Sequence, residues 1–470
     1  MLKFKSYIIY VLVFIVILIL SITIKNVKKN IDNKSDQILF LEKNLKNKKS
    51  QLKNIHTKLL NKNINIENII FEEGISFKNK KKLTFKLDNK DFDLIEFASD
   101  DLIFAKHPEA SSSAYIDFYD KNIFLVTATG QITYSEITNL NEKNFKLESI
   151  KSNIQELIKY SEFYNSSAFG IKDILVRNNK IYVSYIEEQY KDCFSTSILV
   201  GELNYSFINF KDFYSPKNCI EKSSEFFSLH PKDKLVAHQS GGRMIIIGND
   251  LIFSTGEYRY RTLAQEIDND FGKIISINLT NNSKKIISMG HRNPQGLYFS
   301  NDLNMLFSTE HGPSGGDEIN LLDFNTNNGV ANYGWPIASY GRHYFDNDDD
   351  KDKRYELSPL KKSHSKNGFI EPIEYFDPSV GISQIIGVPN KFIKSDNNKF
   401  LVGTMGNAKK LNKGMISLFF FEFDKLKKKI IKSEFIPIKS RVRDMIYVKN
   451  ENLVLLYLEN SNALAVLKAK

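Results

Sequence analysis

The sequence predicts an all-β fold preceded by a transmembrane helix and a helical, coiled-coil-like stalk, and three observations predict it. From about Glu67 onward, short runs rich in β-branched and aromatic residues alternate with Gly, Asn, Asp and Pro turn signals. Helical periodicity is scarce over the same stretch, with Asn153 to Tyr160 the best candidate. Ahead of it lie an unbroken apolar run and a heptad-spaced polar segment. Many short strands in one long unit are the pattern of a propeller or a large sandwich.

The first element is the apolar run Tyr7 to Ile24, interrupted by Ser21 and Thr23 and preceded by Lys3 and Lys5. At ~1.5 Å per residue it just spans a hydrocarbon core. The run exits as Ser-Ile-Thr-Ile-Lys-Asn with no small-x-small cleavage site, so residues 1–24 are read as an uncleaved signal anchor.

Residues 25–66 follow as the stalk. Ile31, Ile38, Leu45, Leu52, Leu59 and Ile66 recur every seventh residue, with Leu41, Ile55 and Ile69 at alternate second-core positions and no Gly or Pro before Glu73. That is a coiled-coil pattern, able to pair subunits. Lys34, Lys48 and Lys62 fall on the seam, and a polar single helix or a linker is the alternative.

The +10 formal charge maps to the same end, because residues 1–66 hold 13 lysines against Asp32, Asp36 and Glu42. The region from 67 to 470 is formally neutral. This argues against a nucleic-acid partner and leaves the basic arm facing anionic lipid.

Within 67–470 the clearest strand signals are Leu83 to Leu87, Asn122 to Thr127, Ile181 to Tyr185, Met244 to Ile247, Leu251 to Ser254, Lys273 to Ile277, Lys399 to Gly403, Met415 to Glu422 and Leu453 to Leu458. No P-loop, HExxH, CxxC or nucleophile-elbow motif is present. Cys193 and Cys219 can form one disulfide if the fold brings them together.

The stretch richest in chemistry runs from Gly290 to Pro336. His291, Arg292 and Asn293 form a polar triplet before a proline and a glycine, which places them on a turn. Two short apolar runs follow, Leu297 to Phe299 and Met305 to Ser308, and the second opens into the loop Glu310 to Glu318. Glycine and proline turn backbone carbonyls outward there beside carboxylates, a donor set that suits calcium. A hairpin loop with solvated acids is the other reading.

The blocks GHRNPQGL, EHGP-GGDEIN and NYGWP, in this order and spacing, resemble the soluble glucose/sorbosone dehydrogenase family. Its members are pyrroloquinoline quinone (PQQ) dependent aldose dehydrogenases built as six-bladed β-propellers. The resemblance covers roughly Asp117 to the C-terminus. It includes His238 to Arg243, Ala264-Gln265, Phe271 to Ile275 and Arg441 to Asp444.

The resemblance implies two calcium sites and a cofactor cleft. The carbonyls of Gly312 and Pro313 would hold the calcium beside the cofactor, while Glu318 and the Tyr333 carbonyl would hold a second, structural calcium. Arg292 and Asn293 would face the quinone, and Arg441 and Arg443 would grip its carboxylates, a task suited to the planar guanidinium fork. A sugar substrate, an external electron acceptor and a location in the periplasm or at the cell exterior are implied with them.

The sequence also departs from the pattern. A histidine expected after a G-L-L strand is replaced by Arg177, which cannot act as a base near neutral pH. The stretch Thr127 to Ile132 lacks a usual arginine, and near Val402 to Asn407 a lysine must come from Lys409 or Lys410. His107, His238 and His311 are the other histidines weighed as a base, and none is assigned. The acidic run Asp346 to Asp352 reads as a solvated loop. Two functions therefore stand: a PQQ-dependent sugar dehydrogenase, or a calcium-stabilised propeller without chemistry that serves as a binding or scaffolding head.

Overall fold

The computed structural model describes residues 73–87, 90–102, 113–229, 234–323, 329–344, 356–406 and 413–470. Within them the chain forms antiparallel meanders of four strands each, six in all. The innermost strands are Ala114–Tyr119, Ile171–Arg177, Gly241–Ile247, Pro294–Ser300, Ile382–Val388 and Val442–Val448. Each packs beside the next, and the last packs beside the first, which closes a ring of six blades.

Strands one step out from the ring explain the apolar runs of the sequence. Asn122–Thr127 and Leu453–Leu458 are buried at every position. Each has a neighbouring blade on both faces, so its pattern is continuous and not alternating. Phenylalanine fills the space between the fourth and fifth blades. Phe307, Phe400, Phe419, Phe421 and Phe423 share one core cluster, with Phe400 stacked on Phe421 at 4.9 Å.

Closure comes from a hairpin that lies before the first blade. Strand Lys90–Ala98 pairs antiparallel with Ala463–Ala469 and so completes the C-terminal blade. Strand Ile75–Leu87 pairs with Lys90–Ala98 and also with Asn144–Ser152, the outer strand of the first blade. The two ends of the ring thus become one continuous sheet whose edge strands are the innermost strands Val442–Val448 and Ala114–Tyr119.

The expectation of helical parts is corrected. The described helices are Ile154–Leu157, Ser161–Asn165 and Glu225–Leu229, single turns of four or five residues. At ~1.5 Å per residue such helices reach less than 10 Å, against a hydrocarbon core of about 30 Å. Among the described residues no helix is long and apolar enough to cross a membrane, so the single-pass, membrane-anchored placement is not carried further. The anchor at 1–24 and the stalk at 25–66 lie outside the described residues.

Five of the six innermost strands carry a register shift near their first residue. The residues stepped over are Lys172, Gly242 with Arg243, Gln295, Ser383 with Gln384, and Arg443. A bulge re-aims the side chain it carries. Here it places polar groups together around the ring at the end where these strands begin.

Cys193 and Cys219 form a disulfide with their Cα atoms 5.4 Å apart. It ties strand Cys193–Glu202 to the segment that includes Ile220–Glu221, which pairs with it. Replacing both cysteines by serine should lower stability by about 2–4 kcal/mol, read by urea unfolding. An unchanged midpoint would mean that the paired strands alone hold this loop.

Candidate active site

The bulged residues build a buried network on the ring axis. Arg243 Nη1 donates to Asp173 Oδ1 at 3.0 Å and to Asp444 Oδ1 at 2.7 Å. Its Nε reaches the Gln295 carbonyl at 2.7 Å and its Nη2 the Arg443 carbonyl at 2.9 Å. One guanidinium fork therefore joins the second, third, fourth and sixth blades. Burial pushes the Asp173 carboxyl up to about 8 and raises that of Asp444, while Arg243 pulls both the other way.

Above this network, where the innermost strands begin, lies a cleft of about 440 Å³. Arg292, Asn293, Arg441 and Arg443 all line it, so four residues from two distant segments converge on one cleft. Arg292 is fixed by its backbone N–H on Glu310 Oε2 at 2.8 Å and by Nη1 on the His311 carbonyl at 3.0 Å. Its guanidinium lies over the rings of Trp335 and Tyr344, 5.3 and 5.8 Å from their centroids. Asn293 Oδ1 accepts from the Gly241 N–H and from Gln295 Nε2, which fixes the amide orientation.

Glu459 organises the two other arginines. Arg441 Nε donates to Glu459 Oε2 at 2.9 Å, and Arg443 Nε donates to Glu459 Oε1 at 2.5 Å. The shared carboxylate takes one N–H from each fork and turns both toward the cleft, where Arg441 Nη1 also meets the Gly406 carbonyl and Arg443 Nη1 meets Gln295 Oε1. The Arg-x-Arg pair is thus both ion-paired to Glu459 and part of the cleft lining.

Two histidines line the cleft, His238 and His311. His311 Nε2 donates to the Ile382 carbonyl at 2.5 Å, and burial together with Arg292 holds its pKa below the ordinary value despite Asp317. That ring is a brace between blades. His238 also lines the cleft, and its carbonyl accepts from Asn293 Nδ2 at 3.4 Å.

Arg177 is elsewhere. It ends the innermost strand that begins at Ile171, seven residues or ~20 Å from the cleft end. It lines a separate depression with Asp117 and Lys449 and donates to Asp117 Oδ2 at 3.3 Å. The side chain that seemed to replace a base therefore does not face the cleft. His107, Asp346 to Asp352, Lys409 and Lys410 lie outside the described residues.

The two expected calcium sites differ. Gly312 and Pro313 line the cleft, and among the described residues neither carbonyl accepts a hydrogen bond. Asp317 shapes their loop, accepting from the N–H groups of Gly312, Val380, Gly381 and Ile382. Two unpartnered carbonyls on a fixed loop fit a hard cation. Glu318 and Tyr333 do not fit one. His364 lies between them, its Nδ1 3.0 Å from the Tyr333 carbonyl and its Nε2 3.2 Å from Glu318 Oε1.

Glu459, Gln295, Arg243 as an axis girder, and His364 escaped the reading of the sequence. Gln295 and Arg243 lie in the quoted blocks without an assigned role, and Glu459 is a carboxylate that follows the apolar run Leu453 to Leu458. Their roles depend on which bulge faces which.

Comparison with known proteins agrees with this architecture. A curated aldose sugar dehydrogenase of Escherichia coli is 28% identical over 233 residues, covering 46% of this chain and 56% of that protein. Quinoprotein glucose dehydrogenase B of Acinetobacter calcoaceticus is 30% identical over 196 residues, 34% of this chain and 38% of that one. The chain thus spans about half the length, or less, of these curated relatives. Among solved structures, the soluble aldose sugar dehydrogenase of Escherichia coli in its apo-form superposes with a TM-score of 0.56 at 18% identity, over 78% of this chain and 98% of that one. The PQQ-bound aldose sugar dehydrogenase of Streptomyces coelicolor gives 0.52 at 14%, over 78% and 96%. These two likenesses are of fold. Residues 138–466 match the family model described as Glucose / Sorbosone dehydrogenase, and with its motifs gathered on one cleft the chain belongs to that family.

Proposed function

We propose that the cleft binds PQQ and calcium and oxidises an aldose at its anomeric carbon to the lactone. The convergence of Arg292, Asn293, Arg441 and Arg443 with His238 on one cleft carries this reading. Arg441 and Arg443, held by Glu459, present guanidinium forks for the carboxylates of the cofactor. Arg292 and Asn293 supply donors where the quinone oxygen gains charge. The carbonyls of Gly312 and Pro313 would hold the calcium. Bound there, the cofactor supplies an electrophilic carbonyl that accepts the hydride.

His238 is the base in this scheme. Its imidazole would take the hydroxyl proton of the sugar while the quinone would supply the acceptor for the anomeric hydride, so that two electrons and two protons leave the sugar as the lactone forms. An external electron acceptor would be required for repeated turnover.

The full chain loaded with PQQ and calcium should bind the cofactor and reduce an artificial dye with a panel of aldoses. Arg292→Ala should abolish the reduction. Absence of PQQ binding would overturn the reading. Tight binding without turnover on any aldose would favour a calcium-stabilised binding or scaffolding head.

A further inference from the structure

We propose that the imidazole of His364 occupies the seat of the second, structural calcium in this chain, so that a side chain replaces the metal there. The inference rests on three aspects of the geometry. The first is the ligand atoms. The Tyr333 carbonyl and Glu318 Oε1, which a metal would need, lie 3.0 and 3.2 Å from the two ring nitrogens of His364. The Nε2 contact is off the line of an ideal hydrogen bond but within ion-pair distance, and, although burial opposes it, the Glu318 carboxylate favours the protonated ring. A calcium ion takes six to eight oxygens at about 2.3–2.6 Å, and it cannot bind these two while the ring stands between them.

The second is space. The cavity bordered by Glu318, Tyr333, Trp335 and His364 holds about 10 Å³. That is at the lower limit for a single water, so the ring leaves no room for a hydrated cation beside it. The ring is also locked. His364 is 1% exposed, stacks on Tyr340 at 5.5 Å, and Tyr340 stacks on Tyr375 at 3.7 Å. Glu371 accepts from the Tyr340 hydroxyl and from the Ser365 N–H.

The third is the surrounding carboxylates. Glu310, which acts on Glu318 from within the core, is committed to His291 Nδ1, the Arg292 N–H and Asn320 Nδ2. Among the described residues no group of three or more His, Cys, Asp or Glu is placed to hold a metal.

The seat joins three segments: strand Asp317–Leu322, the turn before Trp335, and the loop that carries His364 toward strand Glu374–Phe376. A covalently attached ring holds them without an ion that can dissociate. The consequence is a head whose fold does not respond to calcium at this position. The calcium proposed beside the cofactor, at Gly312 and Pro313, is a separate site, and the test below reads unfolding and metal binding without turnover.

The experiment is thermal unfolding and calcium titration of the full chain without PQQ. Wild type and Glu318→Gln should show the same calcium response, because Glu318 binds no metal. His364→Ala should gain one additional calcium site, with Tm rising by several degrees at millimolar calcium, and His364→Ala combined with Glu318→Gln should lose that gain. A calcium-dependent Tm in wild type that Glu318→Gln abolishes would overturn the proposal. So would a folded His364→Ala variant that gains no site. If His364→Ala fails to fold, the comparison of wild type with Glu318→Gln decides by itself.

Discussion

His238→Ala, loaded with PQQ and calcium, is expected to lose about 100- to 10,000-fold in kcat, the range for removal of a positioned general base. Cofactor affinity should change little, because the arginines and Asn293 remain. The reasoning is one of position on the cleft wall. His311 spends its Nε2 proton on the Ile382 carbonyl, and His291 sits in the core between Ser288 and Glu310. His238 lines the cleft beside Asn293, whose Nδ2 donates to the His238 carbonyl, and so stands where the sugar would meet the cofactor. Arg177→Ala serves as the control and should leave turnover within about twofold, since that side chain lines the opposite end of its strand. Undiminished turnover in His238→Ala would place the base elsewhere. A large loss in Arg177→Ala would mean that the far depression communicates with the cleft.

The second large effect is on stability. Arg243→Met should cost about 3–5 kcal/mol, because Asp173 and Asp444 would remain buried with their shared cation gone. Adding Asp173→Asn and Asp444→Asn should recover a good part of that loss, since no uncompensated charge then remains. A wild-type midpoint in Arg243→Met would show the girder to be dispensable. The same network sets a pH dependence. With a folded-state pKa of about 8, Asp173 keeps a proton that the unfolded chain has already released. Its contribution is therefore present below the ordinary aspartate range and is lost as pH rises through about 8. Urea unfolding at pH 5 and pH 8 should give lower stability at the higher pH, and Asp173→Asn should flatten the difference.

The local pattern of the sequence was enough to identify what is local in the structure. The runs Leu453 to Leu458 and Asn122 to Thr127 are strands buried on both faces, and the sequence writes such strands as unbroken apolar stretches. The triplet His291 to Asn293 sits on a turn because proline and glycine follow it. The carbonyls of Gly312 and Pro313 are turned out by the same chemistry that made the loop visible. Four cleft-lining residues and the family's blocks were legible because each lies within a short motif of fixed spacing.

The reading of residues whose role depends on distance went differently. Arg177 and Lys172 are five positions apart on one strand, yet one faces a far depression and the other the buried end. A strand advances ~3.3 Å per residue, so a motif's alignment does not say which end of the ring it serves. Short apolar and heptad patterns also could not establish an anchor or stalk, and the described helices are single turns.

What the sequence alone determined is the all-β composition of the region, the turn-borne polar triplet and the glycine-rich loop, because periodicity and turn chemistry are properties of neighbours in the chain. Only the tertiary structure decided that Lys90–Ala98 closes the ring on Ala463–Ala469, that Glu459 aims Arg441 and Arg443, and that His364 lies between Glu318 and Tyr333. Those contacts join residues separated by tens to hundreds of positions. They exist because blade packing and bulges bring particular backbone atoms together, and no local preference encodes that.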